Sequence, residues 1–207
     1  MALFGRKEGK SLFGKQKEEK DKTPLKHELV DISINSMIEL SDLTTYEETG
    51  DTSHAFKLTV QKKYEGEALL RYMYHLKDAE EEVILGVDHI HGTKDEYETS
   101  RWIVDGEQEL GDPLPDVMTL FYPDPDNEEE EIEVAYTRQE IISAKLTVTD
   151  VQGKEEFETE LHEYVTENEE LMSIELCGDW LTFYVGLPIL PSDVEVYPAL
   201  ETEKSGR

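Results

Sequence analysis

Apolar residues recur at every second position over long stretches of this chain. Between Ala55 and Val87, Phe56, Leu58 and Val60 alternate with Lys57, Thr59 and Gln61, the period of a strand with one face buried. Tyr64-Glu65-Gly66-Glu67 interrupts the run with a glycine suited to a turn. Leu70, Tyr72, Tyr74 and Leu76 then share one face, with Arg71, Met73 and His75 on the other. After Asp78-Ala79-Glu80-Glu81 the alternation resumes at Val83, Leu85 and Val87. The pattern predicts a three-strand antiparallel meander with one face toward solvent.

The same period runs on. Leu29 to Leu40 is a strand or a short helix, and Ile32, Ile34 and Ile38 favour the strand. Tyr97 to Val104 is a strand carrying Trp102, and Asp105-Gly106 is a tight-turn dipeptide. Gly111-Asp112-Pro113-Leu114-Pro115 is incompatible with a central strand and leads into a short strand at Val117 to Tyr122. Ile132 to Tyr136 is another strand. Lys145 to Asp150 and Glu156 to Tyr164 flank Gln152-Gly153 as a hairpin. Met172 to Leu176 and Trp180 to Val185 flank Cys177-Gly178-Asp179 as a second, and Pro188 and Pro191 end the regular structure.

About ten short strands with turn signals between them predict a mainly β fold. It is a β-sandwich or a partly open barrel built on an antiparallel meander. One or two short helices fit Asp112–Leu120 or Arg138–Ala144, which keeps α+β as the alternative. Three segments follow: a basic, disordered tail over residues 1–26, bounded by Pro24; a single β-rich domain over 27–198; and a frayed end over 199–207.

Charge narrows the choice of partners. The 207 residues carry 49 acids and a formal net charge of −29, which opposes contact of the main body with nucleic acid, since such contact rests on cations neutralising phosphates. A protein with a basic surface is the partner this composition favours. The first 26 residues are the exception, with eight Lys and Arg against four acids. They also repeat a motif: Leu3-Phe4-Gly5-Arg6-Lys7 recurs as Leu12-Phe13-Gly14-Lys15-Gln16-Lys17. Leu3, Phe4, Leu12 and Phe13 are candidates to enter an anionic lipid interface, with Arg6, Lys7, Lys15 and Lys17 facing the headgroups. A disordered leader, or a tail folded back on its own acidic body, are the alternatives.

The single cysteine, Cys177, excludes a disulfide within the chain and fits a reducing compartment. No run of 18 apolar residues is present, and the N-terminus lacks the apolar segment of a signal peptide. The expected location is the cytoplasm, with peripheral contact at the inner membrane face as its extension.

Asp88-His89-Ile90-His91 is the sharpest candidate for chemistry. Histidines two apart on a strand point the same way, and neutral imidazole ligates zinc or copper. His89 and His91 would need a third ligand, for which His75, Asp95 and Glu96 are placed. Asp124-Pro125-Asp126-Asn127-Glu128 opens like a calcium loop, but Glu129 stands where glycine is wanted and Ala135 where the bidentate glutamate belongs. Acids rather than cations neighbour Cys177, so nothing lowers its pKa. Tyr72, Tyr74, Tyr136 and Tyr184 line a ligand groove in one reading and pack as core in the other. The nucleophile-elbow, phosphate-loop and dinucleotide motifs are absent. No catalytic residue and no cofactor is assigned.

Several segments taken together resemble a known family. They are the opening Leu-Phe-Gly with cations, Arg71-Tyr72-Met73-Tyr74 before an acidic turn, Val83-Ile84-Leu85-Gly86-Val87, Val134-Ala135-Tyr136-Thr137-Arg138, Val185-Gly186-Leu187-Pro188, and Val194-Glu195-Val196. In that order they resemble the YjfK-like family of uncharacterised bacterial proteins, over most of residues 29–197 but not Tyr97–Asp116. The resemblance implies a cytoplasmic bacterial protein without established activity, encoded near phage-shock-type membrane-stress proteins, and it brings no catalytic residues. The functional expectation is a non-enzymatic protein-interaction module, with a place near the inner membrane face as its extension. The alternative is a metal-binding protein or metal-dependent enzyme using His89 and His91.

Overall fold

The structure is a computed structural model and describes residues 29–41, 54–89, 96–124 and 127–199, without the side chains of 124–130. Its strands are β1 (Met37–Leu40), β2 (His54–Gly66), β3 (Leu70–Lys77), β4 (Glu82–His89), β5 (Tyr97–Glu109), β6 (Val117–Asp124), β7 (Asn127–Thr149), β8 (Lys154–Val165), β9 (Leu171–Cys177), β10 (Trp180–Ile189) and β11 (Val194–Tyr197). All pairings are antiparallel, in the order β11-β1-β2-β3-β4-β5-β10-β9-β8-β7-β6. The mainly β expectation holds. The segments left open for helix are not helical: 112–116 is loop, 117–120 is in β6, and 138–144 is in β7. The only helical turn among the described residues is Pro191–Asp193.

One further pairing closes the sheet. The second half of β2 joins the second half of β7, from Gln61↔Thr149 to Gly66↔Ala144. Strands β2-β3-β4-β5-β10-β9-β8-β7 thus form an eight-stranded barrel, which leaves no free edge along the ring. The strands outside the ring are flaps. β1 and β11 extend the first half of β2, and β6 extends the first half of β7. The two halves of the chain repeat one plan, a flap strand followed by four ring strands.

Two bulges make the flaps. One interrupts β2 between Leu58 and Val60 and the other interrupts β7 between Arg138 and Glu140. An extra residue inverts the alternation beyond it. Hence Phe56 and Leu58 pack outside the ring, while Tyr64 packs with Met73, Ile84 and Trp102 inside it. Asp105-Gly106, read from sequence as a turn, is a third irregularity. The register shifts there, between Phe183 and Tyr184, and β5 continues to Glu109 because β10 runs alongside it throughout.

Three cores result. The first lies outside β3 and β4, under β1, β11 and residues 29–36, and holds Phe56, Tyr72, Tyr74, Leu76, Val83 and Leu85. The second fills the barrel with Tyr64, Met73, Ile84, Trp102, Leu146, Leu161 and Tyr184. The third lies outside β8, β9 and β10, where Met118, Leu120, Tyr122 and Val134 of the second flap meet Tyr164, Met172, Ile174 and Leu181. The predicted wet face of the meander is therefore buried. Tyr72 and Tyr74 are covered by a flap, and Arg71 and Met73 point into the barrel; all four are buried.

Candidate functional site

The barrel interior carries charge. Register places Arg71 opposite Asp88, Met73 opposite Gly86, and Gly86 opposite Ser100. Glu175 faces Thr182 and Leu161, and Ser173 faces Tyr184 and Glu163. Two polar clusters follow. In the first, Lys62 Nζ donates to Glu175 Oε1 at 2.9 Å and to the Tyr184 hydroxyl at 2.8 Å, while the Tyr64 hydroxyl donates to Glu175 Oε2. Burial alone would lower the Lys62 pKa, but Tyr184 and Glu175 more than offset it and the net shift is upward. Lys62 is therefore a held cation, not a nucleophile.

The second cluster surrounds Arg71. Its Nε and Nη2 donate to the two Asp88 carboxylate oxygens, both at 2.8 Å. Its Nη1 donates to Glu163 Oε1 at 2.8 Å, and the Ser173 hydroxyl donates to the same oxygen at 2.7 Å. The guanidinium lies 5.9 Å from the Trp102 ring centroid. This forked geometry needs arginine, since lysine has no planar array of donors.

The Arg71 cluster opens at a cleft of about 390 Å³ whose wall includes Leu69, Ile142, Tyr164 and Leu171. Four carboxylates line it: Asp88, Glu98, Glu140 and Glu163. Glu98 is directly opposite Asp88, and Glu140 directly opposite Glu163. Like charges at facing strand positions repel. Arg71 bridges Asp88 to Glu163. Neither Glu98 nor Glu140 has a cation within salt-bridge distance among the described residues. The mouth thus sets one guanidinium against four acids on an apolar floor.

Among the described residues the sequence-derived candidates lie apart. His89 ends β4, half-buried, in edge contact with Tyr97 at 5.2 Å between ring centroids; it lines the rim of the acidic cleft. His91 and Asp95 lie outside the described residues, and among the described residues no group of three His, Cys, Asp or Glu could hold a metal ion. His75 is in the barrel with its Nε2 buried and unpartnered. Leu3, Phe4, Arg6, Lys7, Leu12, Phe13, Lys15 and Lys17 also lie outside the described residues, as do Pro125 and Asp126 of the calcium-loop candidate. Of the four tyrosines, Tyr72 and Tyr74 belong to the first core, Tyr184 to the barrel and Tyr136 to the third core. Burial and Glu175 push the Cys177 thiol up, in keeping with an unreactive side chain. The residues that sequence reasoning missed are Arg71, Asp88, Glu163, Lys62 and Glu175. A strictly alternating charged position in an otherwise apolar meander, as at Arg71, was the available signal.

Burial and the nearby Lys62 ammonium lower the His75 pKa to about 4, against roughly 6.5 in an unfolded chain. The fold therefore favours neutral His75. Its contribution is fully present above pH 6.5 and is lost as pH falls toward 4, by at most about 3 kcal/mol. Urea midpoints measured at pH 7 and pH 4.5 should differ less for His75→Leu than for the wild type. An unchanged difference would show that His75 does not titrate in this way.

Comparison with family models, with curated proteins and with solved structures found no match to this chain.

Proposed function

We propose that this protein is a non-enzymatic interaction module whose acidic barrel mouth receives a lysine- or arginine-rich segment of a partner protein. The observation that carries the reading is the pair of facing acids, Asp88 with Glu98 and Glu140 with Glu163, around the single guanidinium of Arg71. An incoming cation relieves both repulsions, and the apolar floor takes the methylene stem of its side chain. The buried clusters do not act on a substrate: every donor of Lys62 and Arg71 described above is already engaged by protein oxygens. The formal charge of −29 would draw a basic partner in at long range. A cytoplasmic setting near the inner membrane face belongs to the same reading, supported by the lone cysteine and the family resemblance.

The test is titration of a fluorescent peptide of alternating leucine and lysine. Raising salt from 50 to 200 mM should weaken binding about tenfold. Glu98→Gln with Glu140→Gln should weaken it by a similar factor. Glu155→Gln with Glu158→Gln, on exposed positions of β8, should change it less than twofold. Salt-independent binding, or equal losses in the two double variants, would remove the mouth as the site.

A further inference from the structure

A second surface differs in kind from the acidic mouth. Outside the ring, where β5 meets β10, lies a groove of about 480 Å³. Its floor is apolar at Ile103, Val185 and Leu187; Arg101, opposite Leu187, adds a guanidinium that Glu81 holds at 2.7 Å. Ile103 and Leu187 are 48% and 56% exposed. The groove falls between the two flaps. Ile189 at one end packs with the first core, and Val185 and Tyr136 on the other bank belong to the third. Glu170 adds an acid to the rim.

We infer that this groove is the docking site of the chain's own N-terminal segment, through Leu3-Phe4 and Leu12-Phe13. Three observations select that occupant. The first is chemical: each apolar pair is followed by cations, which suits an apolar floor set in an acidic body. The second is charge. Residues 1–26 carry eight Lys and Arg against four acids, a net of +4 that leaves −33 on the rest. The same body charge repels a second copy of the chain. The third is origin. The described chain starts at Leu29, whose carbonyl accepts the Tyr74 hydroxyl at 2.9 Å. Leu29 sits in the first core, against which Ile189 of the groove also packs. Between Phe13 and Leu29 the chain can span roughly 50 Å, several times the width of a strand pair. Docked there, the segment covers the exposed Ile103 and Leu187.

The experiment uses the full chain with a photoreactive benzoylphenylalanine at Leu187, irradiated as an equal mixture of ¹⁴N- and ¹⁵N-labelled protein. Mass spectrometry should place the adducts within residues 1–20 of the same chain. Changing Leu3, Phe4, Leu12 and Phe13 to serine, outside every described strand, should lower the adduct yield at least about tenfold. The same photoreactive residue at Phe157, exposed on β8, should capture little. Adducts confined to the folded body, adducts joining differently labelled chains, or equal capture at position 157 would each overturn the assignment. So would a chain that gives no adduct at Leu187 yet floats with phosphatidylglycerol vesicles, which would give the segment to lipid.

Discussion

Arg71→Met should cost about 3–5 kcal/mol of folding stability, the range for removing one partner from a buried ion network. The loss is not mainly that of attractive contacts. It arises because Asp88 and Glu163 remain in place, 29% and 15% exposed, after their shared counter-charge is gone. Urea unfolding measures it. A triple variant in which Asp88→Leu and Glu163→Leu accompany Arg71→Met should recover most of the stability, because well-packed apolar groups replace buried ion clusters at little cost. If Arg71→Met unfolds within about 1 kcal/mol of the wild type, the network is solvated and the barrel interior is not the low-dielectric core described here.

The second large effect concerns how the barrel is filled. Trp102 crosses the interior against two glycines on its neighbouring strands. A Cβ added to Gly186 would stand 2.6 Å from two indole carbons and 2.7 Å from the Arg101 carbonyl oxygen. A Cβ on Gly86 would meet the indole nitrogen and the Ser100 hydroxyl, which are bonded to each other at 2.6 Å. Neither neighbour is the loose end of a flexible chain, so overpacking should cost about 3 kcal/mol for Gly186→Ala. Trp102→Leu should cost a similar amount through the cavity it leaves. Because the two changes act on one space, Gly186→Ala with Trp102→Leu should cost less than the sum of the singles by at least about 1 kcal/mol. Strict additivity in denaturant melts would show that the indole is not what the glycine makes room for.

The acidic mouth and the apolar groove are separated by chemistry, and their tests respond to different variables. Loss of salt-dependent peptide binding through Glu98 and Glu140 concerns the mouth alone. Loss of photocapture at Leu187 concerns the groove alone.

Period-two alternation and turn residues marked the strands correctly from β2 through β4 and from β8 through β10. Gly178 takes a φ of +62° in the β9–β10 turn, where the dipeptide context had placed a hairpin. Asp105-Gly106 misled because a turn signal and a bulge signal are the same dipeptide; only the continuous partner strand β10 decides between them. The helix expected near 138–144 fails for a related reason. The bulge after Arg138 breaks strict alternation, and a broken alternation looks locally like a longer period. The candidate site was less legible. His89 and His91 stood out by rarity, while Arg71, Lys62, Glu163 and Glu175 looked like the polar side of ordinary half-exposed strands.

What the sequence alone determined is local: which residues extend, where they turn, and that the whole is strongly acidic. Each of these depends on neighbours within a few positions or on a simple sum. The tertiary structure decided that β2 meets β7, a pairing of residues 78 to 88 positions apart, and with it the meaning of every polar residue on the ring's inner side. In an open sheet Arg71 and Glu175 would point at water; in a closed one each meets counter-charges inside the ring, Arg71 with Asp88 and Glu163 and Glu175 with Lys62, because buried charge must be paired. Periodicity says that two faces differ. It does not say which one the chain will later wrap around.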